Sequence, residues 1–204
     1  MLLDERPFDL DQLGWLYEIK FDGYRLVAEI DGGVVTLRTK GGADSSRWFP
    51  EIVDSLRKTL PAGRYVLDGE ICALDDVGRS DFDLLHQRAL RRRWYPGAPA
   101  VVYCVFDLLV NKGRDITQLP LSERKPALIA LFSKGAPGIL VVTGFEGEGE
   151  GRWLFKGPVH QLELEGMVAK RLDSVYRPGV RSPDWVKVKR SGATPAERFK
   201  RKSA

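Results

Sequence analysis

Glu18–Arg25, EIKFDGYR, sets a lysine inside a run that otherwise alternates as a strand does. Asp22, Gly23 and Arg25 follow Lys20 closely. Two readings stand at this point. Either the strand is half exposed and Lys20 points at water, or Lys20 is a reagent. Working outward, WLYEIKF (15–21) leads into the stretch and YRLVAEI (24–30) leads out of it. The turn Asp31–Gly33, DGG, then joins YRLVAEI to VVTLRT (34–39) as a hairpin.

The same signals continue along the chain. Phe49, Ile52, Val53 and Leu56 share one face of a helix within WFPEIVDSLRKTL (48–60). RYVLDGEICAL (64–74) reads as a strand closed by the turn DDVGR. SDFDLLHQRALRRR (80–93) reads as a helix capped by Ser80 or Asp81. AVVYCVFDLLV (100–110) is an apolar strand. LSERKPALIALF (121–132) is a helix with Ser122 as candidate cap, in which Pro126 belongs near the first turn or kinks it. GILVVTG (138–144) is a strand, and 152–162 stays ambiguous around Gly157-Pro158. LEGMVAKRL (164–172) and WVKVKR (185–190) close the series as strands. Strands outnumber helices without alternating with them, which predicts an α+β fold on antiparallel sheet over residues 1–190. A basic, loose tail is expected over 191–204.

At 204 residues, 43% hydrophobic and 29% charged, the chain suits a soluble globular domain. It has no apolar run of membrane-spanning length and no signal-peptide core, so the expectation is a cytoplasmic protein with no membrane partner. Cys72 and Cys104 sit in apolar runs and read as buried thiols. His86 and His160 are isolated, offering neither a zinc site nor a Ser-His-Asp arrangement. Residues 151–204 hold thirteen Lys and Arg against five Asp and Glu, whereas 1–150 hold nineteen against twenty-three. A basic last third suits a polyanion. QRALRRRWYPG adds Arg88, Arg91, Arg92 and Arg93, although charge runs are usually solvated faces.

There is no P-loop and no Rossmann fingerprint. Charges inside strands stand out instead: Lys20, Glu70, Asp107, Glu165, Lys170, Lys187 and Lys189. Any one of them reads as an edge charge facing water. So many together suggest a polar cleft between sheets. Lys187 and Lys189 share a strand face, which suits a phosphate and would help depress the pKa of a third lysine. Neutral lysine is a nucleophile, and Glu70 and Glu165 offer oxygen ligands for Mg2+.

K-x-D-G-x-R (Lys20, Asp22, Gly23, Arg25), followed in order by LDGEI, VFDLL, EGMVAK and WVKVK, resembles the nucleotidyltransferase (adenylation) domain of ATP-dependent DNA ligases, most closely the bacterial end-joining type. The resemblance runs from about Phe8 to Lys189 and implies an ATP-grasp-like, antiparallel-sheet nucleotidyltransferase fold. It implies that Lys20 carries AMP, taken from ATP, and passes it to the 5′-phosphate of a nick for sealing. Glu18 and the backbone of Ile19 would read adenine. Phe106 would stack on the base, unless it is core packing, with Val168 on the other side. Arg25 and Arg38 would contact the ribose or the nick's 5′-phosphate. Glu70 would meet the ribose or the metal, Glu165 would bind Mg2+ or Mn2+, and Lys187 and Lys189 would hold the phosphates. The implied partner is nicked or broken double-stranded DNA, with a separate repair or end-binding protein as a further candidate, in the bacterial cytoplasm or nucleoid.

The family continues into an OB-fold of ~100 residues. Fifteen residues follow Lys189 here, so the expectation is an adenylation domain without that OB-fold, with RFKRK (198–202) as a phosphate contact. An RNA ligase or capping-type enzyme, and a non-catalytic DNA-end or partner-binding module, remain the alternative readings.

Overall fold

The computed structural model describes residues 1–193, so RFKRK and most of the expected tail lie outside the described residues. In chain order the strands are β1 (Leu2–Asp4), β2 (Trp15–Lys20), β3 (Tyr24–Asp31), β4 (Val34–Thr39), β5 (Tyr65–Cys72), β6 (Val102–Asn111), β7 (Arg114–Asp115), β8 (Ile139–Val141), β9 (Gly144–Phe145), β10 (Gly166–Arg171) and β11 (Arg181–Lys189). The helices are α1 (Pro50–Thr59), α2 (Phe82–Leu90), α3 (Leu121–Leu131) and α4 (Glu150–Leu154). One sheet runs β1-β11-β10-β2-β9 and the other β4-β3-β5-β6-β7, with β8 beside β6. All pairings are antiparallel except β1–β11 and β6–β8. Lys20 ends β2 in the first sheet and Tyr24 opens β3 in the second, so the opening motif is where the chain crosses between sheets.

Each sheet buries its outer face in its own core. Leu26, Ala28, Leu67 and Val105 pack with Ile52 and Leu56 of α1, Leu85 of α2 and Leu128 of α3. Tyr17, Met167, Ala169 and Val186 pack with Leu154 of α4. By the two-residue period of a strand, Glu18, Lys20, Val168, Lys170, Trp185, Lys187 and Lys189 therefore face inward, toward the second sheet.

Several local expectations change. GILVVTG divides into β8 and β9, which join different sheets. Asp81 caps α2 by accepting from Leu84 N–H at 2.8 Å, while Ser80 Oγ takes Asp22 N–H at 3.1 Å. Pro120, not Ser122, precedes α3, and Pro126 lies in its second turn without ending it. Ser122 is exposed, so water can satisfy the carbonyl that Pro126 leaves unpaired. At 152–162, α4 passes into a π-helical turn at Phe155–Val159, a wider turn that accommodates Pro158. No described helix is long and apolar enough to cross a membrane.

Candidate active site

The inward faces of the two sheets line a partly open cavity. Glu18, Lys20, Val168 and Lys170 border it from the first sheet, and Arg25, Glu70 and Phe106 from the second. Ile19 borders it too, though its side chain packs on the outer core. Gly23 lets the crossing pass close to β5: a Cβ there would lie 2.0 Å from the Ile71 carbonyl oxygen.

Lys20 Nζ pairs with the Glu165 carboxylate and donates to the Phe21 carbonyl at 3.3 Å. Lys189 Nζ lies 3.3 Å from the other Glu165 oxygen. Glu70 Oε1 accepts Gly23 N–H at 2.8 Å. Burial alone would lower the Lys20 pKa, but Glu165, Glu70 and Asp22 outweigh it and hold the amine above its ordinary value. The depression expected from Lys187 and Lys189 is therefore absent. Lys187 is turned to Glu5 at 2.7 Å and Lys189 is engaged by Glu165. Glu70 is pushed up to about 7 by burial, against the pull of Lys20 and the Gly23 N–H, with Glu165 and Asp22 adding to the rise.

Glu18, 2% exposed, is flanked by two buried lysines. Lys170 Nζ lies 2.6 Å from Oε2, and Lys125 from α3 pairs with Oε1. Lys170 also sits 4.5 Å above the Phe106 ring and 4.2 Å above that of Trp185. Its pKa falls to about 8, chiefly from burial, with Glu18 opposing and Lys125 reinforcing the fall. Phe106 owes its position to a β-bulge: Asp68 pairs with Asp107 and Gly69 with Val105, so Phe106 is skipped in the ladder.

The family model described as "ATP dependent DNA ligase domain" matches residues 7–189. The chain belongs to this family. It is 37% identical over 175 residues to the multifunctional non-homologous end joining protein LigD of Pseudomonas aeruginosa, covering 86% of this chain and 20% of that protein. It is 32% identical over 188 residues to the SPbeta prophage-derived DNA ligase-like protein LigB of Bacillus subtilis, covering 92% and 66%. A solved mycobacterial DNA ligase D complexed with ATP aligns with TM-score 0.70 at 31% identity, over 86% of this chain and 54% of that one. The chain thus spans from a fifth to about two thirds of these relatives, and its antiparallel α+β architecture is that of a DNA ligase nucleotidyltransferase domain.

Within this ligase domain Lys20, Glu70, Glu18, Phe106, Val168 and Arg25 border the cavity, and Glu165 and Lys189 join it through the ion pairs Lys20–Glu165 and Lys189–Glu165. Arg38 is not. It lies on the edge strand β4, half exposed, 3.0 Å from Glu29. Arg25 is held by a carboxylate the sequence reading passed over: Asp68 takes its guanidinium at 3.0 and 2.6 Å, and the Tyr176 hydroxyl donates to Asp68 at 2.7 Å. The signal was present, since Asp68 stands two residues before Glu70 on the same strand face. Asp107, by contrast, is a fully buried partner of Arg124, with two contacts of 2.9 Å. Arg88 is no surface cation either. It is 1% exposed and donates to Trp48 O at 3.1 Å and to Glu51 at 2.5 Å.

Glu165 and Glu70 both act on Lys20, whereas no group of three metal-ligating side chains occurs among the described residues. Two carboxylates suit a hard divalent ion completed by substrate phosphates.

Proposed function

We propose that this domain transfers AMP through Lys20 from ATP to a 5′-phosphate at a DNA nick. The observation that carries the reading is the placement of Lys20, paired with Glu165, in the same cavity as Glu18 and Phe106. The purine stacks on Phe106, with Val168 on the opposing sheet, and donates its exocyclic amine to Glu18 beside the Ile19 backbone. Glu70 and Arg25 meet the ribose. Lys189 and Lys187 meet the phosphates once the nucleotide displaces their carboxylate partners. Arg38, outside the cavity, is left with the nicked strand.

The Lys20 ammonium gives up a proton to solvent, and the lone pair of the resulting amine forms the N–P bond to the α-phosphorus. The α–β bridging P–O bond breaks and pyrophosphate carries off the electron pair. A divalent ion, Mg2+ or Mn2+, held by Glu165 and Glu70, supplies positive charge against the phosphates. The AMP then passes to the 5′-phosphate of DNA, and attack by the 3′-hydroxyl seals the strand with release of AMP. The setting is the cytoplasm, with nicked or broken duplex as partner, alone or alongside a separate end-binding protein.

ATP labelled at the α-phosphate, with Mg2+, tests the reading. The label should stay on the chain through denaturing electrophoresis, vanish in Lys20→Ala, and leave on a chase with nicked DNA. No label on the parent chain contradicts it. Preference for GTP, or a chase that works only with nicked RNA, would move the chain to the capping or RNA-ligase class.

A further inference from the structure

Lys125 stands in none of the motifs that mark the cavity and does not border it, yet it touches both of the cavity's walls. Its ammonium makes two hydrogen bonds and one ion pair. It donates to Phe106 O at 2.7 Å and to Val142 O at 3.0 Å, and it pairs with Glu18. Phe106 belongs to the second sheet and Glu18 to the first. The Phe106 carbonyl meets this lysine at the residue the β5–β6 ladder skips. Lys125 is 6% exposed, and burying an ammonium is costly unless every donor is satisfied. Its neighbour Arg124 ties Asp107 of the second sheet to Ser174 O, at 2.9 Å, in the connection between β10 and β11 of the first. Helix α3 thus clasps the two sheets behind the cavity, and the Lys125 half of the clasp ends on the carboxylate proposed to read the base.

We propose that Lys125 is a positioning residue for base selection. It fixes the Glu18 carboxylate relative to the Phe106 ring, so that a purine stacked on the ring meets Glu18 with its 6-amino group. The proposal rests on the adenine reading of the cavity but on no covalent step. Without Lys125, Glu18 keeps Lys170 as a partner and is free to turn toward it, and the bulge carbonyl loses its donor.

Calorimetric binding of AMP and of purine riboside 5′-monophosphate, which lacks only the 6-amino group, tests this on the full chain. The parent should favour AMP by about tenfold. Lys125→Met should bring the two affinities within about twofold of each other, mainly by weakening AMP. Lys125→Arg keeps the charge, but its longer planar guanidinium does not reproduce contacts made by one ammonium to Phe106 O, Val142 O and Glu18, so the variant should fall between them. A merely structural lysine would weaken both ligands alike and leave their ratio unchanged, which would overturn the proposal, as would a parent without preference. If Lys125→Met does not fold, the Lys125→Arg ratio decides, and a full parental preference there overturns it. Failure of Lys20 to take up AMP would refute the proposed reaction and leave this comparison intact.

Discussion

Glu70 carries the proton most sensitive to the cavity. Its pKa in the folded protein is about 7, against an ordinary 4.5. Between those values the folded state keeps a proton that the unfolded chain has lost, so stability falls as pH rises through that window. Glu70→Gln should remove the slope. In urea titrations the variant should match the parent near pH ~4 and exceed it by about 3 kcal/mol near pH ~8. Equal slopes in the two proteins would contradict the burial assigned to Glu70. At this scale the sequence was most legible where chemistry demands a residue type at a fixed place on a strand. Lys20, Glu70 and Lys189 stand on the inward faces of their strands, whereas Glu165 precedes β10 and is placed by its ion pairs with Lys20 and Lys189. Lys125 and Asp68 did not emerge, because a lysine in a helix and an aspartate beside a glycine look like surface residues until the second sheet is placed. Arg88 misled for the opposite reason, since sequence does not say whether an arginine faces a ligand, an edge or the core.

Element boundaries depended on what each element packs against. The helical stripe of α1 was readable, and Phe49, Ile52, Val53 and Leu56 are all buried. The bulge at Phe106 was not, because period-2 alternation carries no mark of a skipped residue. GILVVTG looked continuous for a similar reason: nothing in its run marks where the chain leaves β8 in one sheet for β9 in the other. Helix α3 tests the cost of its own irregularity. Pro126 is exposed and withholds a hydrogen bond from the second turn. Pro126→Ala should therefore raise stability by roughly 1–3 kcal/mol, read as a higher denaturation midpoint. A lower midpoint would mean that Pro126 holds Lys125 and Arg124 in place.

In the whole molecule the site belongs to neither sheet. Lys20 and Glu165 come with the first, Glu70 and Phe106 with the second, and the crossing at Phe21–Gly23 fixes their distance. The sequence predicted antiparallel strands and a polar cleft between sheets but not which strands each sheet holds, because neighbours in sequence such as β2 and β3 need not pair. That division puts a protonated lysine among carboxylates at the seam, which in the proposed reaction a polyphosphate would displace. Peptide mapping of the chain after incubation with ATP and Mg2+ tests this claim most directly. The account predicts AMP on the peptide containing Lys20 and on no other. An adduct on Lys170, Lys187 or Lys189 with Lys20 unmodified would contradict it, as would a chain that binds ATP and carries no AMP at all.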